Sequence, residues 1–221
     1  MESKSMTAWI SAFSRAYHFQ NNSVRIFSDS LAKLLFTDDE YQQISQTMSD
    51  GIGFFNPSFC GSREEALRWI VDHQLSPSPL GRAAFAEKAL ETAVRIGTRQ
   101  YCILGAGYDT FSCRQPDWAC ALSIFELDRP AAIRDKQARL AAAGLSIPDN
   151  VHFLEADFAA GGWQSILCED EYFSSGKRTF CSLLGLTYYL PQNAFEQLTA
   201  ALGAILPEGQ GNFGNGTDRL L

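Results

Sequence analysis

The chain has 221 residues, a hydrophobic fraction of 46%, a charged fraction of 19% and a formal net charge of −7. This composition is typical of a globular protein with one large or two small domains. The negative charge, with no cluster of lysines or arginines, argues against nucleic acid or an anionic membrane as the main partner. No Cys-x-x-Cys pair is present and the three histidines are isolated, which argues against a zinc site. Without an apolar run of signal-peptide or membrane-spanning length, we expect a soluble, cytoplasmic protein.

The amino-terminal part of the chain has the periodicity of helices. Apolar residues recur at helical spacing in residues 7–35. The sequence Thr37-Asp38-Asp39-Glu40 is a capping box and predicts the start of a further helix. The segment 51–61 contains three phenylalanines and predicts an apolar loop or lid, with aromatic rings that we expect in the core rather than in a substrate pocket.

Two more helices are predicted before the first strand. A second capping box, from Ser62 to Glu65, starts a helix that Pro77 and Pro79 end. The next helix is predicted to begin near Leu80, which puts Arg82 in its first turn. The helix dipole disfavours a cation there, so Arg82 is either a ligand-binding residue or a solvated arginine.

Residues 101–130 read as a strand, a glycine turn and a second strand. The apolar run from Tyr101 to Leu104 is stopped by Gly105-Ala106-Gly107, where the backbone can turn tightly and approach a ligand. The second run begins at Leu122 and ends in Glu126-Leu127-Asp128. Glu126 lies 21 residues after Gly105, close to the spacing of about 20 at which an acid contacts ribose in dinucleotide folds.

The tip of the glycine turn indicates what kind of cofactor fits. Thr110 stands where a dinucleotide fingerprint has its third glycine, and the carboxylate of Asp109 would repel a pyrophosphate. Both residues favour a cofactor with a ribose and a positive centre but no phosphates, which describes S-adenosylmethionine (SAM). A nicotinamide cofactor, or a turn that binds no ligand, is the alternative.

The elements that follow continue the alternation of helix and strand. Pro130 opens a helix that Gly144 closes, and strands are predicted at 151–155 and 179–184, with a last helix at about 192–206. Asp157 and Phe158 follow the third strand, where the carboxylate could accept from the adenine amine and the ring could stack; Asp157 could equally be a turn former. The pattern predicts a Rossmann-like α/β fold: a doubly wound, mostly parallel sheet with helices on both faces and a helical N-terminal extension.

The carboxyl end departs from this pattern. Four glycines lie between positions 209 and 216, which predicts a flexible tail in place of a fifth strand. The predicted division is a helical cap at 1–78, a cofactor-binding core at 79–208 and a glycine-rich tail at 209–221. Without a fifth strand, the strand at 179–184 would be an exposed edge, which predicts a homo-oligomer formed through that edge.

Four segments together resemble a known family. They are TAWISAFSRAYHFQNNSVRIFSDSLAKLL, GRAAFAEKAL, LGAGYDTFSCR and IFELDRPAAIRDKQ, and they are similar to the corresponding parts of the leucine carboxyl methyltransferase-like family of class I, SAM-dependent methyltransferases. The resemblance implies methyl transfer from SAM, with an oxygen of a small molecule or a peptide carboxylate as the acceptor. The alternatives are a SAM-binding relative without catalysis, a nicotinamide-dependent oxidoreductase and a fold that binds nothing.

The resemblance also implies site residues. Arg82 would bind the methionine carboxylate, Asp128 the ribose hydroxyls, and Asp157 with Phe158 the adenine, while the cofactor packs on Gly105, Ala106 and Gly107. The spacing argument favours Glu126 for the ribose and the family pattern favours Asp128; we prefer Asp128, with Glu126 in support. No catalytic residue is assigned.

Two features depart from the family pattern. Leu184-Gly185 stands where the family has Glu-Gly, and that glutamate lies near the cofactor's amino group, so we expect SAM binding to be weaker by about 1–3 kcal/mol. The family also continues past residue 221, so we expect the remaining strands and part of the substrate cover to be absent.

Overall fold

The fold is built on a parallel β-sheet. The computed structural model describes residues 6–206 and the backbone of residues 212–215. The strands are β1 (Gln100–Leu104), β2 (Ser123–Asp128), β3 (Val151–Glu155), β4 (Thr179–Leu183) and β5 (Asn212–Asn215). All neighbours pair in parallel in the order β3-β2-β1-β4-β5. The order reverses between β1 and β4, and the carboxyl ends of strands at such a switch point are where doubly wound folds bind ligands.

Helices cover both faces of this sheet, as the sequence predicts. They are α1 (Met6–Asn21), α2 (Asp38–Asp50), α3 (Ile52–Phe55), α4 (Arg63–Ile70), α5 (Pro77–Arg95), α6 (Pro130–Ala142), α7 (Trp163–Glu169) and α8 (Gln192–Ile205). Leu167 of α7 and Leu198 of α8 pack with Phe125 on one face. Leu90 of α5 packs with Ile124 on the other. The α/β class and the doubly wound arrangement are therefore confirmed.

Both predicted capping boxes are formed. The Thr37 and Ser62 side chains accept from the main-chain N–H groups of Glu40 and Glu65, and each glutamate carboxylate accepts from the N–H of its cap residue. These local motifs determine where α2 and α4 begin, because they satisfy main-chain donors that the first turn of a helix leaves unpaired.

The chain between α1 and α2 is less helical than the apolar spacing predicts. It contains a 3-10 turn, Ala32–Leu35, preceded by irregular backbone. Asp29 is buried there, and its Oδ1 accepts from the N–H groups of Leu31 and Ala32 at 3.2 and 3.0 Å. A buried carboxylate that takes up these main-chain donors replaces helical hydrogen bonds, so tertiary contacts override the local pattern.

The helix before β1 begins earlier than the sequence predicts. A π-helical turn, Val71–Leu75, follows α4, and α5 then starts at Pro77. Proline is accommodated at this position because the first helical residues have no intrahelical acceptor for their N–H groups. Arg82 is therefore the sixth residue of α5, beyond the first turn, and the dipole argument for its role does not apply.

The aromatic residues of segment 51–61 are not in the core. Phe54 is 85% exposed and Phe55 is 40% exposed. They lie on the short helix α3, which contacts α2 and α4 rather than the sheet. Phe59 is partly buried and lines a groove beside Trp69. The predicted core position was wrong for Phe54 and Phe55, because α3 packs on α2 and α4 and leaves both rings exposed.

A fifth strand exists where the sequence predicts a flexible tail. β5 pairs with β4 from Phe180↔Asn212 to Leu183↔Asn215. The prediction of a missing strand was wrong because ladder hydrogen bonds use main-chain groups, so a short glycine-containing stretch can pair without a recognisable side-chain pattern. β4 is therefore covered, and self-association through an exposed β4 edge loses its basis. The rest of the predicted tail, 209–211 and 216–221, lies outside the described residues.

The N-terminal helices and the sheet share one apolar cluster. Trp9 and Phe13 of α1 pack with Tyr108, which follows β1, and with Leu140 of α6. Among the residues described, no helix is both long enough and apolar enough to cross a membrane. The predicted boundary at residue 78 stays a prediction, and this cluster connects the two sides of it.

A buried histidine in α1 should make stability depend on pH. His18 is 2% exposed, and its Nε2 accepts from the Ile26 N–H at 3.0 Å. Burial lowers the pKa of His18, with Asp72 opposing and Arg25 reinforcing the shift. The neutral ring is thus favoured in the folded state. The buried neutral ring of His18 contributes fully to stability above the unfolded-state pKa of about 6.5. This contribution is lost as the pH falls through the lower folded-state pKa.

We therefore expect the free energy of unfolding to decrease as the pH is lowered from 7.5 to 5, and to decrease less in a His18→Gln variant. Urea unfolding across that range measures it. The exposed His73 provides the control, since His73→Gln removes a histidine from the surface rather than from a buried position. Identical profiles for wild type and His18→Gln would show that His18 protonates freely in the folded protein.

Candidate functional site

The glycine turn after β1 lies at the switch point of the sheet. Gly105 and Gly107 have φ angles of 73° and 49°, in the left-handed region that glycine adopts without steric cost. A Cβ on Gly105 would lie 3.1 Å from the Cβ of Leu186, and one on Gly107 would lie 3.3 Å from the Cβ of Ala8. The turn is thus packed between the segment after β4 and the start of α1.

Asp128 brings the end of β2 to this turn. Its Oδ2 accepts from the Gly107 N–H at 2.7 Å, and its Oδ1 accepts from the Arg129 N–H at 2.7 Å. The side chain is half-buried. The acid that the family pattern indicates for the ribose is therefore held against the glycine turn by a hydrogen bond, and the two main-chain donors fix its orientation.

Arg82 reaches the same region from α5. A Cβ added to Gly185, which follows β4, would lie 3.0 Å from Nη2 and 3.1 Å from Nη1 of Arg82. Gly185 itself has a φ of 82°. The guanidinium therefore rests on a bare backbone at the carboxyl end of β4. Since β4 is the neighbour of β1, a cation is placed at the same edge of the sheet as the glycine turn.

Glu126 does not share this environment. Its carboxylate is fully buried, with Oε1 accepting from Ser112 Oγ at 2.5 Å and Oε2 accepting from Lys136 Nζ. Burial raises the pKa of Glu126, and the Lys136 ammonium opposes that shift. The spacing-based interpretation of Glu126 as the ribose ligand does not agree with this geometry, because both oxygens are occupied inside the protein.

The two predicted adenine contacts differ in accessibility. Asp157 is exposed, and its Oδ1 accepts from the Ala159 N–H at 2.9 Å, which is the turn-forming role that the sequence left open. Phe158 is 6% exposed and its ring lies 5.6 Å from that of Trp163 in the core. The carboxylate is thus available to a ligand, whereas the phenylalanine ring is engaged in core packing.

The start of α1 and the segment after β4 both pack on the glycine turn and contact each other, which the sequence does not predict. The Thr7 hydroxyl of α1 is hydrogen-bonded to the Tyr189 hydroxyl of the segment after β4. Tyr188 and Tyr189 are 65% and 59% exposed. No sequence signal indicates that α1 and this segment meet, because the contact joins residues 182 positions apart.

The arrangement has the character of a binding site for a zwitterionic ligand with hydroxyl groups. It combines the Arg82 cation, the glycine turn and the Asp128 carboxylate at the ends of neighbouring strands. Within residues 6–206, no three histidine, cysteine, aspartate or glutamate side chains are placed to hold a metal ion together.

Comparisons with known proteins identify the family. The sequence profile of the leucine carboxyl methyltransferase family matches residues 8–203. A Bacillus subtilis (strain 168) protein, YktD, provisionally named as an S-adenosyl-L-methionine-dependent methyltransferase, is 40% identical over 210 residues, which cover 93% of this chain and 68% of that protein. A Mycobacterium ulcerans protein with the same provisional name is 31% identical over 128 residues, covering 58% of this chain and 40% of the relative.

The solved structures that match are more distant. A provisionally named methyltransferase from Thermobifida fusca YX is 19% identical and covers 78% of this chain and 63% of its own, with a TM-score of 0.43. The chain spans about two thirds of the length of the Bacillus relative and less than half of the Mycobacterium ulcerans protein.

The chain belongs to the leucine carboxyl methyltransferase family. The resemblance predicted from the four segments is thereby confirmed, and so is the class, that of a methyltransferase. Family membership favours this class over a nicotinamide-dependent oxidoreductase. The roles of the individual site residues stay predictions.

The contact between Gly185 and Arg82 can be tested by adding one methyl group. Gly185→Ala should lower the free energy of unfolding by about 1–2 kcal/mol because alanine disfavours the left-handed backbone. A further loss is expected because the added Cβ contacts the Arg82 guanidinium. Gly144→Ala is the matched control, since Gly144 has a φ of 69° and open space around it. Urea unfolding of both variants measures the difference. Equal losses would contradict a fixed contact, because they would show that the Arg82 guanidinium moves aside or does not pack on Gly185 in solution.

The buried Glu126–Lys136 pair gives a second prediction. Lys136→Met leaves a buried carboxylate without its cation and should cost about 3–5 kcal/mol of stability. Adding Glu126→Gln, which removes the charge and keeps an acceptor for Ser112, should restore most of that loss. Denaturant unfolding of the single and double variants measures both steps. A loss under about 1 kcal/mol for Lys136→Met would contradict a buried, charged pair, because it would mean that the Glu126 carboxyl group is solvated or takes up a proton at little cost.

Proposed function

We propose that this protein binds S-adenosyl-L-methionine at the carboxyl ends of β1, β2 and β4 and transfers its methyl group to an acceptor oxygen. The observation that carries the proposal is the 2.7 Å hydrogen bond from the Gly107 N–H to Asp128 Oδ2, which joins the glycine turn to a half-buried carboxylate at the switch point. The family match and the names of the relatives support the choice of cofactor.

Each part of the site suits one part of this cofactor. The Arg82 guanidinium pairs with the methionine carboxylate, since planar guanidinium donors match carboxylate oxygens. Asp128 accepts from the ribose hydroxyls with the lone pairs that its two main-chain donors leave free. Asp157 accepts from the adenine amine. The glycine turn, with its missing side chains, lets the backbone come close to the ligand.

Bound SAM supplies an already activated methyl group, so the protein's task is alignment and exclusion of water. Arg82 and Asp128 would fix the methionine carboxylate and the ribose of the ligand at the strand ends. Thr7 of α1 and Tyr189, which contact each other, could limit the access of water. A carboxylate acceptor needs no general base, because it is already ionised at neutral pH. We propose a small molecule or a peptide carboxylate or hydroxyl as the acceptor.

A second candidate function is SAM binding without methyl transfer. It is favoured by Leu184, an apolar and partly buried side chain at the position where the family pattern has a glutamate. An ammonium group without a charged partner is bound more weakly. Saturable SAM binding with no methyl transfer to carboxylate or hydroxyl acceptors would support this candidate over the enzyme.

The cofactor proposal predicts that Asp128→Asn weakens SAM binding by roughly tenfold or more, because a charge-assisted acceptor of the ribose hydroxyls is lost. Isothermal titration calorimetry of wild type and variant with SAM measures this. Asp170→Asn is the control: Asp170 also accepts from a main-chain N–H, that of Tyr172 at 3.0 Å, but it precedes β4. Equal weakening by both variants, or none by Asp128→Asn, would contradict the assignment.

A further inference from the structure

Tyr108, the residue directly after the glycine turn, is held from two sides. Its hydroxyl accepts from Trp9 Nε1 of α1 at 2.7 Å and donates to Asp135 Oδ2 of α6 at 2.5 Å. Its carbonyl oxygen accepts from Arg15 Nη2 of α1 at 2.5 Å. Only 9% of the residue is exposed. One side chain and one carbonyl thus connect the turn to α1 and to α6.

A network of charged side chains continues each of these contacts, buried on the α1 side and partly buried on the α6 side. On the α1 side, Arg15 Nε donates to Asp29 Oδ2 at 2.8 Å, and Asp29 Oδ1 accepts from Thr110 Oγ1 at 2.7 Å. The carboxylate of Asp29 is fully buried. The loop 108–110 is therefore bonded at both of its ends to residues of the N-terminal region.

On the other side, the contact runs into α6 and α2. Arg139 Nε donates to Asp135 Oδ2 at 2.8 Å, and its Nη1 donates to Glu40 Oε2 at 2.8 Å. The Arg139 guanidinium also lies 4.6 Å from the centre of the Trp9 ring. Charge pairs that are shielded from water give orientation more than net stability, since a misplaced partner leaves a charge unpaired.

The position of Tyr108 matters because Gly107 precedes it. The Gly107 N–H is the donor to Asp128, and the Gly107 backbone has little stiffness of its own because it lacks a Cβ. The Gly107 N–H belongs to the Ala106–Gly107 peptide, whose carbonyl oxygen accepts from the Asp109 N–H at 2.9 Å. Because Asp109 directly follows Tyr108, the contacts of Tyr108 help to hold the peptide whose N–H points at Asp128.

We propose that Tyr108 is a positioning residue for the cofactor site, through which the N-terminal helix α1 holds the glycine turn in the conformation that binds SAM. This inference rests on the proposed function for its ligand. It assigns the N-terminal region a role in the cofactor site itself, in addition to any role as a cover for the acceptor.

The test compares Tyr108→Phe with Tyr101→Phe. Each variant removes one buried phenolic hydroxyl from the same part of the fold, but the Tyr101 hydroxyl is bonded to Ser182 at 2.9 Å, inside the sheet. Two readouts are needed: hydrogen exchange of the amides of residues 105–110 in the ligand-free protein, and the Kd for SAM by calorimetry. A residue that acts only through global stability would leave both readouts the same in the two variants.

We expect Tyr108→Phe to accelerate exchange in residues 105–110 and to raise the Kd for SAM roughly 3- to 10-fold, whereas Tyr101→Phe changes neither. Trp9→Phe, which removes the indole donor, should act in the same direction. The effects of Trp9→Phe and Tyr108→Phe should then be less than additive in the double variant, because the two changes share the Trp9–Tyr108 hydrogen bond.

The inference is overturned if Tyr108→Phe leaves hydrogen exchange in residues 105–110 unchanged, or if Tyr101→Phe changes exchange and the Kd by the same amounts. Accelerated exchange with an unchanged Kd for SAM would overturn its cofactor part. Failure of the proposed function is distinguishable: if wild type binds no SAM, that function and the cofactor part of the inference fall together, while the exchange measurement still decides whether Tyr108 holds the turn.

Discussion

The hydrogen bond from the Gly107 N–H to Asp128 Oδ2 joins the carboxyl ends of β1 and β2, and the organisation of the site depends on it. A parallel sheet brings its strand ends to one edge without fixing the loops that leave them. Here a main-chain donor on a residue without a side chain is paired with a carboxylate that has a second main-chain donor. The backbone and the carboxylate therefore hold each other in place. Arg82, resting on Gly185 at the end of β4, completes an edge that bears both signs of charge.

The parts of the fold that could be predicted from sequence are those determined by local chemistry. The capping boxes at Thr37 and Ser62 act within four residues, and β1 and β4 are buried along their whole length with mostly apolar side chains. β5 could not be predicted, because its pairing uses main-chain groups and its composition suggests a turn. The 3-10 turn at 32–35 could not be predicted either, because it depends on the burial of Asp29 by residues far along the chain.

The sequence names candidate residues for the site but does not predict how they are arranged. The choice between Glu126 and Asp128 illustrates the limit: both lie on β2, two positions apart, and spacing from Gly105 does not distinguish them. Their surroundings distinguish them. Lys136 of α6 pairs with Glu126 in the interior, whereas Asp128 lies at the end of the strand. The contacts of α1 with the glycine turn and with Tyr189 join residues that are far apart in the sequence, so no local sequence pattern predicts them.

The position of β5 in the chain has a consequence for synthesis. β4 ends at Leu183, and the strand that covers its outer edge begins at Asn212, after the whole of α8. When β4 has emerged from the ribosome, its outer edge therefore has no partner strand until residues 212–215 have also emerged. During that interval the edge can pair with another nascent chain. Slow translation between these two strands would lengthen the time for which the β4 edge is exposed. A chaperone bound near β4 would shield that edge during this time.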